Sequence, residues 1–164
     1  MKKWIYWALV ALAFGLIFYL SSQPATESGA WSRSLTRWLV AHVSGWYPDA
    51  GMHFERVHHL FRKNAHFFIY GLLGILVFNA LRLSPLRGWR RVGMSLTICV
   101  LVAISDEIHQ YFVPGRGAQV RDVIIDGAGA ATAIVICWAV SRMRAGWRKR
   151  RKAGGLQGQK SNVD

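Results

Sequence analysis

Four apolar runs divide the chain: residues 4–20, 65–81, 92–112 and 123–140. Each approaches the roughly 20 apolar residues that a helix needs to cross a hydrocarbon layer about 30 Å thick. The pattern therefore predicts an all-α fold with four transmembrane helices. Pro24 follows the end of the first run, Arg62 and Lys63 open the second, and Arg82 closes it. A different periodicity occupies the stretch between runs one and two. Trp31, Leu35, Trp38, Leu39, His42, Val43 and Trp46 recur at helical spacing, with Ser32, Arg33, Thr36 and Arg37 on the other side. That predicts an amphipathic helix suited either to the membrane interface or to packing on the bundle.

Small residues interrupt two of the runs. Gly71 and Gly74 lie in the second, and Gly127 to Ala131 open the fourth. In lipid such positions let helix backbones approach closely. The Gly/Ala face of the fourth helix is also a candidate homodimer contact. The domain organisation expected is one four-helix membrane domain over residues 4–141. A basic tail over residues 142–164 follows, turning rich in Gly and Gln and expected to be disordered. Lys2 and Lys3 ahead of run one resemble the start of a secretory signal. The run is long for a signal, and Ser22-Gln23-Pro24 is a poor cleavage site, so a retained helix is expected.

Charge adds orientation. The 164 residues carry 21 Lys and Arg against 8 Asp and Glu, a net +13. The basic residues flank the apolar runs, which argues for the positive-inside bias and against a nucleic-acid partner. Lys2 and Lys3, the arginines at 82, 87, 90 and 91, and the cluster after run four share one side of a four-helix topology. That side is expected to be cytoplasmic, with both termini inside, in the cytoplasmic (inner) membrane. Cys99 and Cys137 lie within apolar runs and lack metal-type spacing. No cofactor is expected.

The candidate chemistry gathers at the opposite side. Asp106, Glu107, His109 and Gln110 end run three; Arg116, Arg121, Asp122 and Asp126 open run four. Ser22 and Gln23 end run one, and Lys63, His66 and Tyr70 open run two. Lys63, His66 and Tyr70 share one helical stripe; Asp106, His109 and Gln110 share another; Asp122, Asp126 and Gly129 a third. Ionisable groups inside a membrane are costly and turn toward one another or toward water. One polar pocket open to the outside is therefore expected.

The same residues carry a family resemblance. Asp106-Glu107-x-His109-Gln110, Pro114-x-Arg116, Arg121-Asp122-Val123 and Asp126-Gly127-x-Gly129 resemble the VanZ-like membrane proteins, as do Ser21-Ser22-Gln23 and Lys63-x-x-His66-x-x-x-Tyr70. The family is named for an association with resistance to the glycopeptide antibiotic teicoplanin. The resemblance implies a cell-envelope setting, and the cations suit an anionic or lipid-linked ligand. Other readings of the pocket stand beside this one. Charge pairs would staple helices three and four. His66 or His109 beside a carboxylate would do acid–base chemistry on such a lipid-linked substrate, although no nucleophile motif is present. Glu55-x-x-His58 and Asp106-x-x-His109 have the spacing of carboxylate–histidine metal ligands, but no metal site is expected. A transporter would need more helices or an inverted repeat.

Overall fold

The computed structural model describes the backbone of residues 2–23, 34, 37, 38, 41, 42 and 54–160, with side chains for residues 4–23, 34, 37, 38, 41, 42, 63–148 and 151. Its helices are α1 (Lys2–Ser22), α2 (Phe54–Leu81), α3 (Trp89–Tyr111) and α4 (Val120–Lys160). No strand occurs among the described residues. Each helix contains a stretch apolar and long enough to cross a membrane: Trp4–Ser22, Lys63–Leu81, Trp89–Tyr111 and Val120–Arg148. The chain is a multi-pass membrane protein. Helices are what such sequences must form, because the hydrocarbon layer offers no partner to a free backbone N–H or C=O.

Burial is inverted relative to a water-soluble domain. Trp4, Leu12, Phe68, Leu72, Leu101, Ile108, Ile124 and Ile136 are exposed, while Ser21, Ser95, Asp106, Glu107, Gln110 and Asp126 are buried. Lipid solvates the first set without penalty. The second set must turn inward.

α2 is the central helix. It packs on α1, α3 and α4, most extensively on α4. The contact with α4 depends on small residues. A Cβ added at Gly74 would stand 2.9 Å from the Ala130 carbonyl oxygen, and one at Gly129 would collide with the Phe67 carbonyl. The Gly/Ala face expected to serve a second copy is therefore covered by α2 of the same chain. Tyr70, Leu73, Val77 and Phe78 of α2 pack with Ile17, Cys99, Ala103 and Ile134 in the core.

Cross-helix contacts give the helix directions. Gly74 meets Ala130 and Ile134 while Gly71 meets Gly129 and Ala133, so α2 and α4 run parallel. Ser21 and Gln110 are bonded within the last turn of their helices, so α1 and α3 finish at the same end and run parallel as well. An up-down-up-down bundle results. It places the end of α1, the membrane-entering part of α2, the end of α3 and the start of α4 together.

The α3–α4 connection is short because its turn is tight. Pro114 and Gly115 are the central residues of a turn closed by the Arg116 N–H on the Val113 carbonyl at 3.1 Å. Gly115 has φ +77°, the conformation that a type II turn requires at that position and that glycine adopts without strain. At the other membrane face, Leu81 and Gly88 bracket the α2–α3 connection, with Ser84 Oγ donating to the Leu81 carbonyl at 2.6 Å. α4 continues beyond the apolar stretch, so the segment expected to be irregular is helical up to Lys160. Most of the amphipathic segment expected between α1 and α2 lies outside the described residues. Of that segment, Ser34, Arg37, Trp38, Ala41 and His42 are helical and exposed.

Candidate functional site

Three groups of polar side chains meet at the end of the bundle where α1 finishes and α4 begins. The first joins α1 to α3. Ser21 ends an inward stripe of α1 that also holds Val10, Ala13 and Ile17. Its Oγ donates to Asp106 Oδ2 at 2.8 Å. Gln110, one turn along α3 from Asp106, donates from Nε2 to the same oxygen at 2.9 Å and to Ser21 Oγ at 3.3 Å. Asp106 is fully buried, and Ser21 and Gln110 nearly so.

The second group joins α3 to α4. Glu107 follows Asp106 directly, so its side chain leaves α3 about 100° further round. Its Oε2 accepts the Gln119 backbone N–H at 2.8 Å, just ahead of α4. The unpaired N–H groups and positive dipole end of a helix favour a carboxylate there. The turn before it also directs Arg116 back to α1, where its guanidinium donates to the Leu20 carbonyl at 3.4 Å. A cation at the last carbonyls of a helix complements the negative dipole end.

The third group joins α2 to α4. Lys63 Nζ lies 4.0 Å from Asp122 Oδ1, and His66 Nδ1 lies 3.5 Å from Asp126 Oδ1. Parallel helices make this ladder: Lys63 and His66 are one turn apart, as are Asp122 and Asp126. Between them lies a cleft of about 10 Å³ lined by Lys63, His66, Asp122, Ile125 and Asp126. That is room for about one water molecule.

Several buried polar atoms in this region make no hydrogen bond. They include the Tyr70 hydroxyl, Asp106 Oδ1, Glu107 Oε1 and Asp126 Oδ2, while Asp126 Oδ1 has only its 3.5 Å contact with His66 Nδ1. Tyr70 lies within electrostatic range of Asp106, Asp126 and Glu107, so these groups face a common region. An unsatisfied buried polar group costs about 1–3 kcal/mol. The interior therefore presents oxygen acceptors to anything small that brings hydrogen-bond donors. The cations Lys63 and Arg116 are half-buried at its edge.

Not every residue singled out from the sequence joins this arrangement. Ser22 is exposed and its hydroxyl donates to Tyr19 O of its own helix at 2.7 Å, so Ser21 is the serine that faces inward. Ser21 lies one turn beyond the buried Ile17, but α1 is apolar on every side, so its sequence carries no signal of that face. Gln23 is half-buried and makes no hydrogen bond to the group. Arg121 is exposed. His109 stacks on Phe18, with ring centroids 4.9 Å apart, so it belongs to the α1–α3 flank and not to the cleft beside His66. Among the described residues no set of three or more His, Cys, Asp or Glu side chains is placed to hold a metal. The Glu55 and His58 side chains lie outside the described residues.

Comparison with known proteins agrees with this architecture. The model of a family described as VanZ/LLP1 matches residues 6–141, which span all four membrane segments up to the last turns of α4. No curated protein and no solved structure matches the chain.

Proposed function

The chain belongs to the VanZ/LLP1 family of membrane proteins, and from that premise we propose that its polar site binds an anionic or lipid-linked cell-envelope molecule. The observation that carries this reading is the set of buried oxygens that make no hydrogen bond, on Tyr70, Asp106, Glu107 and Asp126. Orphans contributed by α2, α3 and α4 are more than a helix-to-helix staple needs, and a ligand with hydroxyl or amine donors would satisfy them. The cleft of about 10 Å³ limits what enters to one small group. The bulk of the ligand stays at the rim, where Lys63 and Arg116 suit its phosphate or carboxylate. Basic residues 82, 87, 90 and 91 mark the opposite end of the bundle. The positive-inside bias then makes that end cytoplasmic and the polar site extracytoplasmic, in the cytoplasmic membrane. A site on that face meets envelope precursors, and binding them would change sensitivity to glycopeptide antibiotics such as teicoplanin.

A structural reading has its own support, because Ser21, Asp106 and Gln110 satisfy one another across α1 and α3. One experiment separates the two. Asp126→Asn and Tyr70→Phe are expressed in a glycopeptide-sensitive host, and membrane abundance and teicoplanin sensitivity are read in the same cells. Normal abundance with loss of the wild-type effect supports a ligand site. Depletion of the protein in step with the change in sensitivity supports the staple. Wild-type protein that leaves sensitivity untouched removes the glycopeptide part of the reading.

A further inference from the structure

The opposite end of the bundle carries a second site, independent of the polar one. Arg82 follows α2, Arg91 lies in the first turn of α3, and Arg144 and Arg148 lie on α4. With Ser141 and Ala145 they line a cleft of about 500 Å³. No acid lines it, and among the described residues no ion pair reaches these four arginines. Arg82 and Arg87 are close enough to Arg91 to act on it electrostatically. Like charges gathered in this way repel, and an anion among them removes the repulsion.

The cleft is partly preorganised. Arg91 donates from Nε and a terminal nitrogen to the Leu86 carbonyl at 3.1 and 2.9 Å. Its guanidinium also lies 5.5 Å from the centre of the Phe78 ring. Holding one arginine in place lowers the ordering cost of binding. The depth suits a lipid headgroup, since Arg82 adjoins the span ending at Leu81, Arg91 adjoins the start of the next, and Arg148 ends the last. Trp89 and Trp138 pack together here with ring centroids 4.8 Å apart, and Trp147 is exposed nearby. Tryptophans mark the headgroup level of a bilayer.

One face of α4 adjoins the basic cleft and shares Arg144 and Arg148 with it. Val140, Met143, Trp147 and Arg151 complete that face. It is largely apolar apart from the arginine heads, whose stems lie along it. A basic cleft for phosphate beside an apolar helix face for glycerol and the first acyl carbons suits one molecule. The geometry points to a bound acidic phospholipid, its phosphodiester among Arg82, Arg91, Arg144 and Arg148 and its chains leading past Met143 and Val140 toward the membrane interior.

Native mass spectrometry of the full chain, released from detergent after incubation with phosphatidylglycerol or phosphatidylcholine, tests this. The wild type should retain phosphatidylglycerol in preference to phosphatidylcholine. Removing two headgroup contacts in R144Q/R148Q should weaken retention on the order of thirtyfold. The charge-matched R90Q/R142Q, which lines neither surface, should retain it nearly as the wild type does. If R144Q/R148Q is not recovered, R148Q alone should show about a fivefold loss. Equal loss in the test and charge-matched variants overturns the site in favour of diffuse charge attraction. Inorganic phosphate binding with the same arginine dependence, while phosphatidylglycerol does not bind, overturns the lipid in favour of a free anion.

Discussion

Ser21 and Asp106 are 85 positions apart, yet Ser21 Oγ donates to Asp106 Oδ2 over 2.8 Å in the interior of the bundle. The bond exists because α1 and α3 run parallel and finish at the same end. It ties the least buried helix to α3: only 11% of the α1 membrane span is buried. Few other polar links hold α1 in place.

Ser21→Ala should therefore loosen α1 more than Ser22→Ala. Interhelical hydrogen bonds in membranes contribute about 0.6 kcal/mol on average and up to about 1.7. A loss in that range is expected for Ser21→Ala, and no measurable change for Ser22→Ala, whose hydroxyl bonds its own helix. Thermal unfolding of the two variants in one detergent checks the pair. Equal effects would mean that the inward serine is not a tie.

The α2–α4 seam makes a second contrast within four residues. A Cβ at Gly129 collides with the Phe67 carbonyl, whereas one at Gly127 meets only Val100 Cγ2 at 3.7 Å, an ordinary contact. Gly129→Ala should force the helices apart and lower stability by about 1–3 kcal/mol, the usual range for overpacking. Gly127→Ala should be neutral. Membrane abundance and melting temperature of the two variants decide it.

Lys63 and Asp122 lie 4.0 Å apart, with side chains 15% and 19% exposed. A pair of that length and partial exposure contributes modestly, about 0–1 kcal/mol. Lys63→Ala and Asp122→Ala should each cost that much or slightly more, because each strands its partner. The exchange K63D/D122K should recover most of the loss in a double-mutant comparison. Additive losses with no recovery would show that the two charges do not act together.

Arg116 and Arg121 separate in the same way. Arg116 reaches the Leu20 carbonyl at the end of α1, and Arg121 is exposed. Arg116→Ala should lower stability by about 1 kcal/mol, the scale of a charge-assisted bond at a helix terminus. Arg121→Ala should change stability by less than about 0.5 kcal/mol. The comparison is read as the shift in unfolding midpoint, and a larger effect at Arg121 would contradict the placement of the two arginines.

The clustering of Lys63, His66, Tyr70, Asp106, Glu107, Gln110, Asp122 and Asp126 was legible because polar positions stand out against apolar helices. Within α2, α3 or α4 a polar stripe at helical spacing can only face inward, since lipid excludes it. The same contrast is weak in α1. With apolar residues on every side, nothing in its own pattern distinguishes the face of Ser21 from that of Ser22. His109 shows a different limit. Its spacing matches Asp106, but Phe18 of another helix claims its ring.

Hydropathy determined the number of membrane helices, because about 20 apolar residues in a row have no other stable home. Charge and polar spacing determined which ends carry the polar and the basic residues. What the tertiary structure alone decided is which surfaces meet. The Gly/Ala face of α4 suits any close neighbour, and the bundle gives it to α2. Gly129 meets Phe67 and Gly74 meets Ala130, residues more than 50 positions apart in the sequence. The same packing brings Arg82 and Arg91 beside Arg144 and Arg148 and makes one cleft from three helices. Close packing in lipid depends on the fit of two backbones, and a sequence read one helix at a time contains only one side of that fit.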